Sequence, residues 1–193
     1  MLALVTGGLG FIGSHLVKKL KEEGYSIRIF DLPRDVRRKK EWEKMLEGVD
    51  YVFHLAGHLD NYYQGSGETE FAQYVDVNVK SVALMFEVIV EKELPIEKII
   101  VASSQAVYGE GSYEEFNGEL IPMKETEDDR CLPISIYGAS KLAMEYVLMT
   151  LGRTCRTAVV ALRYSIVLGP NQKFKDMDSR IIPSFVEMAK KGE

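Results

Sequence analysis

At 193 residues, 46% hydrophobic and 27% charged, the chain has the make-up of a globular protein of one domain with at most a piece of a second. A net charge of −5 gives no reason to expect nucleic-acid binding, and no apolar run is long enough to enter a membrane as a span. Two distant cysteines, Cys131 and Cys155, exclude a disulfide scaffold and read as reduced thiols of a cytoplasmic protein, while three scattered histidines leave no metal site.

Met1 leads straight into the first predicted strand, Leu2 to Val5, which leaves no room for a signal peptide. Gly7, Gly8, Gly10 and Gly13 follow in two overlapping patterns, Gly8-x-Gly10-x-x-Gly13 and Gly7-x-x-Gly10-x-x-Gly13. A strand, a glycine turn and a helix in this order suit a dinucleotide: the turn is tight, the backbone is unobstructed, and free N–H groups at the helix N-terminus hold phosphate. The helix opens at Phe11, with Ile12, Leu16, Val17 and Leu20 on one stripe, and Gly24 suits its C-terminal end. A second strand, Tyr25 to Phe30, ends at Asp31, where an acid about twenty residues after the glycines bonds the adenosine ribose. Its carboxylate would repel a 2′-phosphate, so the position favours NAD over NADP, with Arg34 as the nearby counter-signal.

Only three residues lie between Asp31 and Asp35, so the strand that would complete this half of the sheet has no room. Residues 35–48 read as a loop and short helix, and a buried strand, Tyr51 to Ala56, runs into Gly57, where the backbone can approach a cofactor. Asn61 to Thr69 reads as a surface loop, and Phe71 to Lys92 as one long helix, apolar around much of its girth, with Asn78 its notable polar residue. The next strand, Ile96 to Ala102, ends in Ser103-Ser104. Gly109 to Ser135 is an acid-rich excursion suited to a lid or substrate-facing loop. A helix from about Tyr137 to Leu151, a strand Thr157 to Leu162, a Gly169-Pro170 turn and a helix Ser179 to Lys190 complete the series. The alternation predicts an α/β, Rossmann-type doubly wound parallel sheet, lacking the strand after Asp31.

Ligands of such a sheet bind at its C-terminal edge, where Ser104 stands. Tyr137 and Lys141 are one helical turn apart on one face. A phenol is a poor base at neutral pH, but a neighbouring ammonium favours the phenolate. Ser104 can hold the same substrate oxygen while a hydride leaves the carbon.

These stretches together resemble the extended short-chain dehydrogenase/reductase family, in its NAD-dependent epimerase/dehydratase branch. The matching segments are TGGLGFIG at 6–13, HLAG at 54–57, NVKS at 78–81, SSQAVYG at 103–109, YGASK at 137–141 and RYSIVLGP at 163–170. The resemblance implies a catalytic set of Ser104, Tyr137 and Lys141, with Tyr137 and Lys141 also at the nicotinamide ribose. It further implies an NAD site formed by Gly7, Gly10, Phe11, Ile12, Gly13, Asp31, Leu55, Ala56 and Ser103. Gly57 and Asn78 are taken with that site, and Asp35-Val36 is similar to the pair that contacts adenine. The implied activity is that of a nucleotide-sugar epimerase of the UDP-glucose 4-epimerase type; the alternatives are an NAD(P)-dependent sugar or carbonyl reductase, a dehydratase, or a cofactor-binding fragment without turnover. Gln105-Ala106 stands where dehydratases carry an Asp-Glu pair, which disfavours elimination. Ile166 replaces an Asn that touches the sugar nucleotide. The implied boundaries are an NAD-binding domain at 1–170 and the start of a truncated substrate-binding part at 171–193. The helices at about 71–92 and 137–151 resemble a homodimer-forming pair.

Overall fold

A computed structural model describes residues 1–59, 71–172 and 181–192. The loop expected at 61–69 and the start of the last helix at Ser179 lie outside these residues. Five parallel strands form one sheet: β1 (Leu2–Thr6), β2 (Ser26–Phe30), β3 (Tyr51–His54), β4 (Lys98–Ser104) and, at one edge, a strand over Ala158–Tyr164. Their order, β2-β1-β3-β4 and then Ala158–Tyr164, places the glycine-turn strand inside the sheet and leaves β2 as the opposite edge. No strand stands beyond β2 among the described residues, as the short 31–35 connection requires.

The two faces of β1 sort its side chains. Ala3 and Val5 pack with Val17 and Leu20 of helix α1 (Phe11–Glu22), while Leu4 joins the larger core on the other face. That core contains Trp42 of α2 (Lys39–Met45), and Met85, Phe86 and Ile89 from the helix preceding β4. Helices thus lie on both faces, as parallel strands require. Arg28 of edge strand β2 donates to the carbonyls of Met45 (2.9 Å) and Glu47 (2.6 Å), tying the edge to the end of α2. Trp42 fills the space under the shortened connection: its Nε1 donates to the Val36 carbonyl at 2.7 Å, and its ring meets Phe30 edge-on.

Three expectations are revised. The helix expected over 71–92 is interrupted: α3 (Phe71–Tyr74) passes through a π-helical segment, Val75–Lys80, into α4 (Ser81–Glu91). The wider turn leaves the Val77 carbonyl to accept from the Ser81 hydroxyl at 2.6 Å. The 109–135 excursion contains a hairpin, β5 (Tyr113–Phe116) and β6 (Glu119–Pro122), turned by Asn117 and Gly118 at φ 54° and 82°. Such paired positive φ values are what a two-residue hairpin turn demands. Helix α5 (Ile136–Cys155) runs beyond Leu151 and ends at Arg156 with φ 55°, after which β7 (Ala158–Tyr164) begins. A final helix, α6, spans Ile181–Lys191.

Candidate active site

The C-terminal ends of β1, β3, β4 and β7 surround a cavity of about 570 Å³. Gly7, Gly10, Phe11, Ile12 and Gly13 form one end, and Ser103, Ser104, Tyr137 and Lys141 the other, with Leu55 and Gly57 between them. Asp31, Asp35, Val36, Ala56 and Asn78 do not line it.

The glycine turn is shaped by backbone contact. Gly7 adopts φ +66°, and a Cβ there would lie 2.9 Å from the Ala56 nitrogen; one on Gly13 would lie 2.0 Å from the Gly7 carbonyl oxygen. Helix α1 therefore approaches β1 as closely as its backbone allows. Gly10 caps the helix without a side-chain hydrogen bond, so the first-turn N–H groups have no cap from a side chain. That uncapped N-terminus fits a pyrophosphate. Asp31 stands beside it, accepting from Leu9 N (2.8 Å) and Leu32 N (2.8 Å). Asp35 is held by Arg37 through bonds of 2.8 to 3.0 Å, which keep its carboxyl below the usual carboxylate range. Val36 is buried in the core, with its carbonyl taken by Trp42.

At the other end, Ser135 caps α5 by accepting from Gly138 N at 3.0 Å. A Cβ on Gly138 would sit 2.4 Å from the Ala106 carbonyl, so this glycine lets α5 start against the turn that follows β4. That approach brings Tyr137 to Ser104. Burial raises the Tyr137 phenol above its ordinary value, while a hydrogen bond with the Ser104 hydroxyl acts in the opposite direction. The Ser104 hydroxyl also accepts from Ala106 N at 3.2 Å. Lys141 is buried, its ammonium 3.0 Å from the Ala102 carbonyl and 5.8 Å from the Tyr137 ring centre. Burial lowers its pKa to about 8. A buried phenol and a buried amine are each costly to ionise alone, whereas a phenolate–ammonium pair relieves both. Gly57 makes room for the amine: a Cβ there would meet Lys141 Nζ at 3.0 Å.

Asn78 works from behind the cavity. Its Oδ1 accepts from His58 N (2.7 Å), and its Nδ2 donates to the His58 carbonyl (3.1 Å) and to Ser140 Oγ (2.9 Å). It joins the strand end after β3 to α5 through the π-helical segment. A second buried chain supports β3. Thr6 Oγ1 accepts from Ala56 N (3.0 Å) and so donates its proton to His54 Nδ1 (2.7 Å). The ring then carries its proton on Nε2, which donates to Ser81 Oγ (3.0 Å). Burial, followed by the Lys141 charge, lowers His54 to about 3, consistent with this neutral tautomer.

Sequence reasoning missed the clamp formed by Glu145 and Arg163. Glu145 lies two turns after Tyr137 on α5; it accepts from the Ser103 hydroxyl and is bridged by Arg163 of β7, with Nη2 at 2.8 Å. Arg163 also donates to Tyr108 Oη at 2.9 Å. The spacing Tyr137, Lys141, Glu145 at four-residue intervals was the available signal.

The family model described as NAD dependent epimerase/dehydratase family matches residues 3–193. A putative UDP-glucose 4-epimerase of Methanocaldococcus jannaschii is 31% identical, with all of this chain and 64% of that protein covered. A dTDP-L-rhamnose 4-epimerase of Burkholderia thailandensis is 26% identical, covering 97% of this chain and 63% of the relative. Among solved structures, UDP-glucuronic acid 4-epimerase from Bacillus cereus in complex with NAD superposes with a TM-score of 0.77 at 27% identity, over 97% of this chain and 64% of that one. The chain thus spans about three fifths of the length of the relatives it matches. It belongs to the NAD-dependent epimerase/dehydratase family.

Proposed function

We propose that the chain carries the NAD-dependent half of a nucleotide-sugar 4-epimerase of the UDP-glucose type. The observation that carries this reading is the meeting of Ser104, Tyr137 and Lys141 in one cavity with the uncapped N-terminus of α1. Gly7 to Gly13 hold the pyrophosphate, Asp31 the adenosine ribose, and Tyr137 and Lys141 the nicotinamide ribose. NAD supplies the hydride acceptor and returns the same hydride. Tyr137 takes the proton of the C4 hydroxyl, with Lys141 favouring the phenolate, and Ser104 donates to the oxygen as it becomes a carbonyl. The 4-keto sugar turns over, and Tyr137 returns the proton when the ring carbon is reduced on its opposite face. No acid follows Ser104: Gln105 instead accepts from the Ser165 hydroxyl at 2.8 Å, so expulsion of water has no proton donor there.

The division at 1–170 and 171–193, a homodimer through the helical stretches at about 71–92 and 137–151, and a cytoplasmic setting for the free thiols of Cys131 and Cys155 belong to the same reading. Incubation with NAD and UDP-glucose, followed by proton NMR, tests it. UDP-galactose without net NADH is the expected product. Net NADH would instead indicate a dehydrogenase, and silence despite bound NAD would contradict turnover by this chain.

A further inference from the structure

Three side chains of α5, spaced four residues apart, engage three successive residues at the end of β4. Tyr137 bonds with Ser104, Lys141 donates to the Ala102 carbonyl at 3.0 Å, and Glu145 accepts from the Ser103 hydroxyl. Tyr137 and Lys141 line the cavity, whereas Glu145 does not. Its buried carboxylate is taken up on both oxygens by Arg163, with Nε at 3.1 and 3.2 Å and Nη2 at 2.8 Å. Arg163 stands opposite Ser103 in the β4–β7 pairing, so one carboxylate ties α5 to two neighbouring strands at the same level. The remaining guanidinium nitrogen, Nη1, donates at 2.9 Å to Tyr108 Oη, in the turn that follows β4.

Apolar side chains of similar volume often match or exceed a buried ion pair in stability, but they lack its directional, bidentate hydrogen bonds. The contribution of such a pair is then geometric. A slide or rotation of α5 on β4 would move Tyr137 relative to Ser104, and Glu145, two turns along the same helix, opposes that movement. We infer that Glu145 is a positioning residue for the Ser104–Tyr137 pair: bridged between Ser103 and Arg163, it fixes where α5 lies on the end of β4. The inference rests on the proposed reading of Tyr137 as the acid–base group with Ser104 as its partner. Glu145 acts through Ser103 and through its own helix, and the proton transfers stay with Tyr137.

Ionisation of the phenol tests this separately from turnover. The full chain receives Glu145→Leu with Arg163→Met, an apolar pair in place of the ion pair, and difluorotyrosine at position 137, whose fluorine NMR signal follows that one phenol. The Ser104 hydrogen bond favours the phenolate. Its loss in this variant should lower the ionisation constant about fivefold, as Ser104→Ala does. With Ser104→Ala already present, the change at Glu145 and Arg163 should add less than about twofold. Lys141 and Tyr74, which also face the ring, are the same in every comparison. Turnover of UDP-glucose at saturating NAD should fall about 10- to 100-fold, the cost of an ångström-scale misplacement, with KM little changed. An unmoved titration in the folded variant overturns the inference, and so does a full additional shift in the Ser104→Ala background. If the apolar pair does not fold, Glu145→Asp, which keeps the charge but draws it back by one methylene, takes its place with the same expected shift. Unfolding of both variants would make the clamp a folding element and overturn the inference too. The predicted shifts in a chain that makes no UDP-galactose would overturn the epimerase reading and leave the positioning role standing.

Discussion

The two ends of the proposed NAD site are built by opposite means. At the proposed nicotinamide end the Lys141 amine is held by the Ala102 carbonyl in the space Gly57 leaves, and the strand end at His58 by the buried Asn78. At the adenosine end a short, exposed turn does the work. Asp31 is held by two backbone N–H groups, and the sheet stops at β2. Ser104, at the end of β4, lies beyond β1 and β3 from the β2 edge, so the lack of a strand beyond β2 among the described residues bears on the proposed grip on adenosine and not on the placement of Ser104, Tyr137 and Lys141. Affinity and turnover should separate along this line.

The sharpest break comes from Tyr137→Phe. Removing the acid–base hydroxyl should lower turnover about 10²- to 10⁴-fold, while loss of one hydrogen bond to the nicotinamide ribose should weaken NADH binding no more than about fivefold. Parallel loss of both would mean that the phenol holds the site together. Gly13→Ala strikes the glycine turn, since its Cβ would lie 2.0 Å from the Gly7 carbonyl oxygen. Overpacking of about 1–3 kcal/mol should appear as a lower denaturation midpoint and a weakened NADH titration. An unchanged protein would contradict the close approach of α1 to β1.

Asp31→Ala tests the adenosine end alone. We expect about tenfold weaker NADH binding, from loss of a charged hydrogen-bond acceptor, with turnover at saturating cofactor intact. A fall in saturated turnover would show that the ends are coupled. A further test is a pH slope. Burial lowers Lys141 from 10.5 to about 8, so between these values the unfolded chain still holds a proton that the folded chain has released. Stability therefore climbs with pH from about 8 to 10.5 through this group and is penalised by it below that window. In urea denaturation Lys141→Met should lose that share of the rise; identical slopes for parent and variant would refute the buried amine.

Much of this was legible in the chain. The apolar run Leu2 to Val5, the glycine spacing and Asp31 announced the nucleotide half, and the lack of residues between Asp31 and Asp35 announced the missing strand. The Tyr137–Lys141 spacing placed the two side chains on one face, and both line the cavity. Other features required the third dimension. The π-helical turn at 75–80 could not be read from hydrophobic periodicity, because the valines there fall on more than one face: Val75 is exposed while the polar Asn78 is buried. The β5–β6 hairpin has no buried face, so no alternation revealed it, although Asn117-Gly118 was a usable turn signal. The Thr6–His54–Ser81 chain and the Glu145–Arg163 clamp join residues far apart in sequence, and each partner alone reads as an ordinary polar residue. Asp35 and Val36, similar in sequence to an adenine-contacting pair, are engaged by Arg37 and Trp42.

NADH titration followed by nicotinamide fluorescence, with NADPH as the control, tests the central claim most directly. The account predicts saturable enhancement by NADH and markedly weaker binding of NADPH, whose 2′-phosphate would face the Asp31 carboxylate. Failure of both cofactors to bind would contradict it, because the glycine turn and the buried nicotinamide end would then not form a working dinucleotide site without the missing strand.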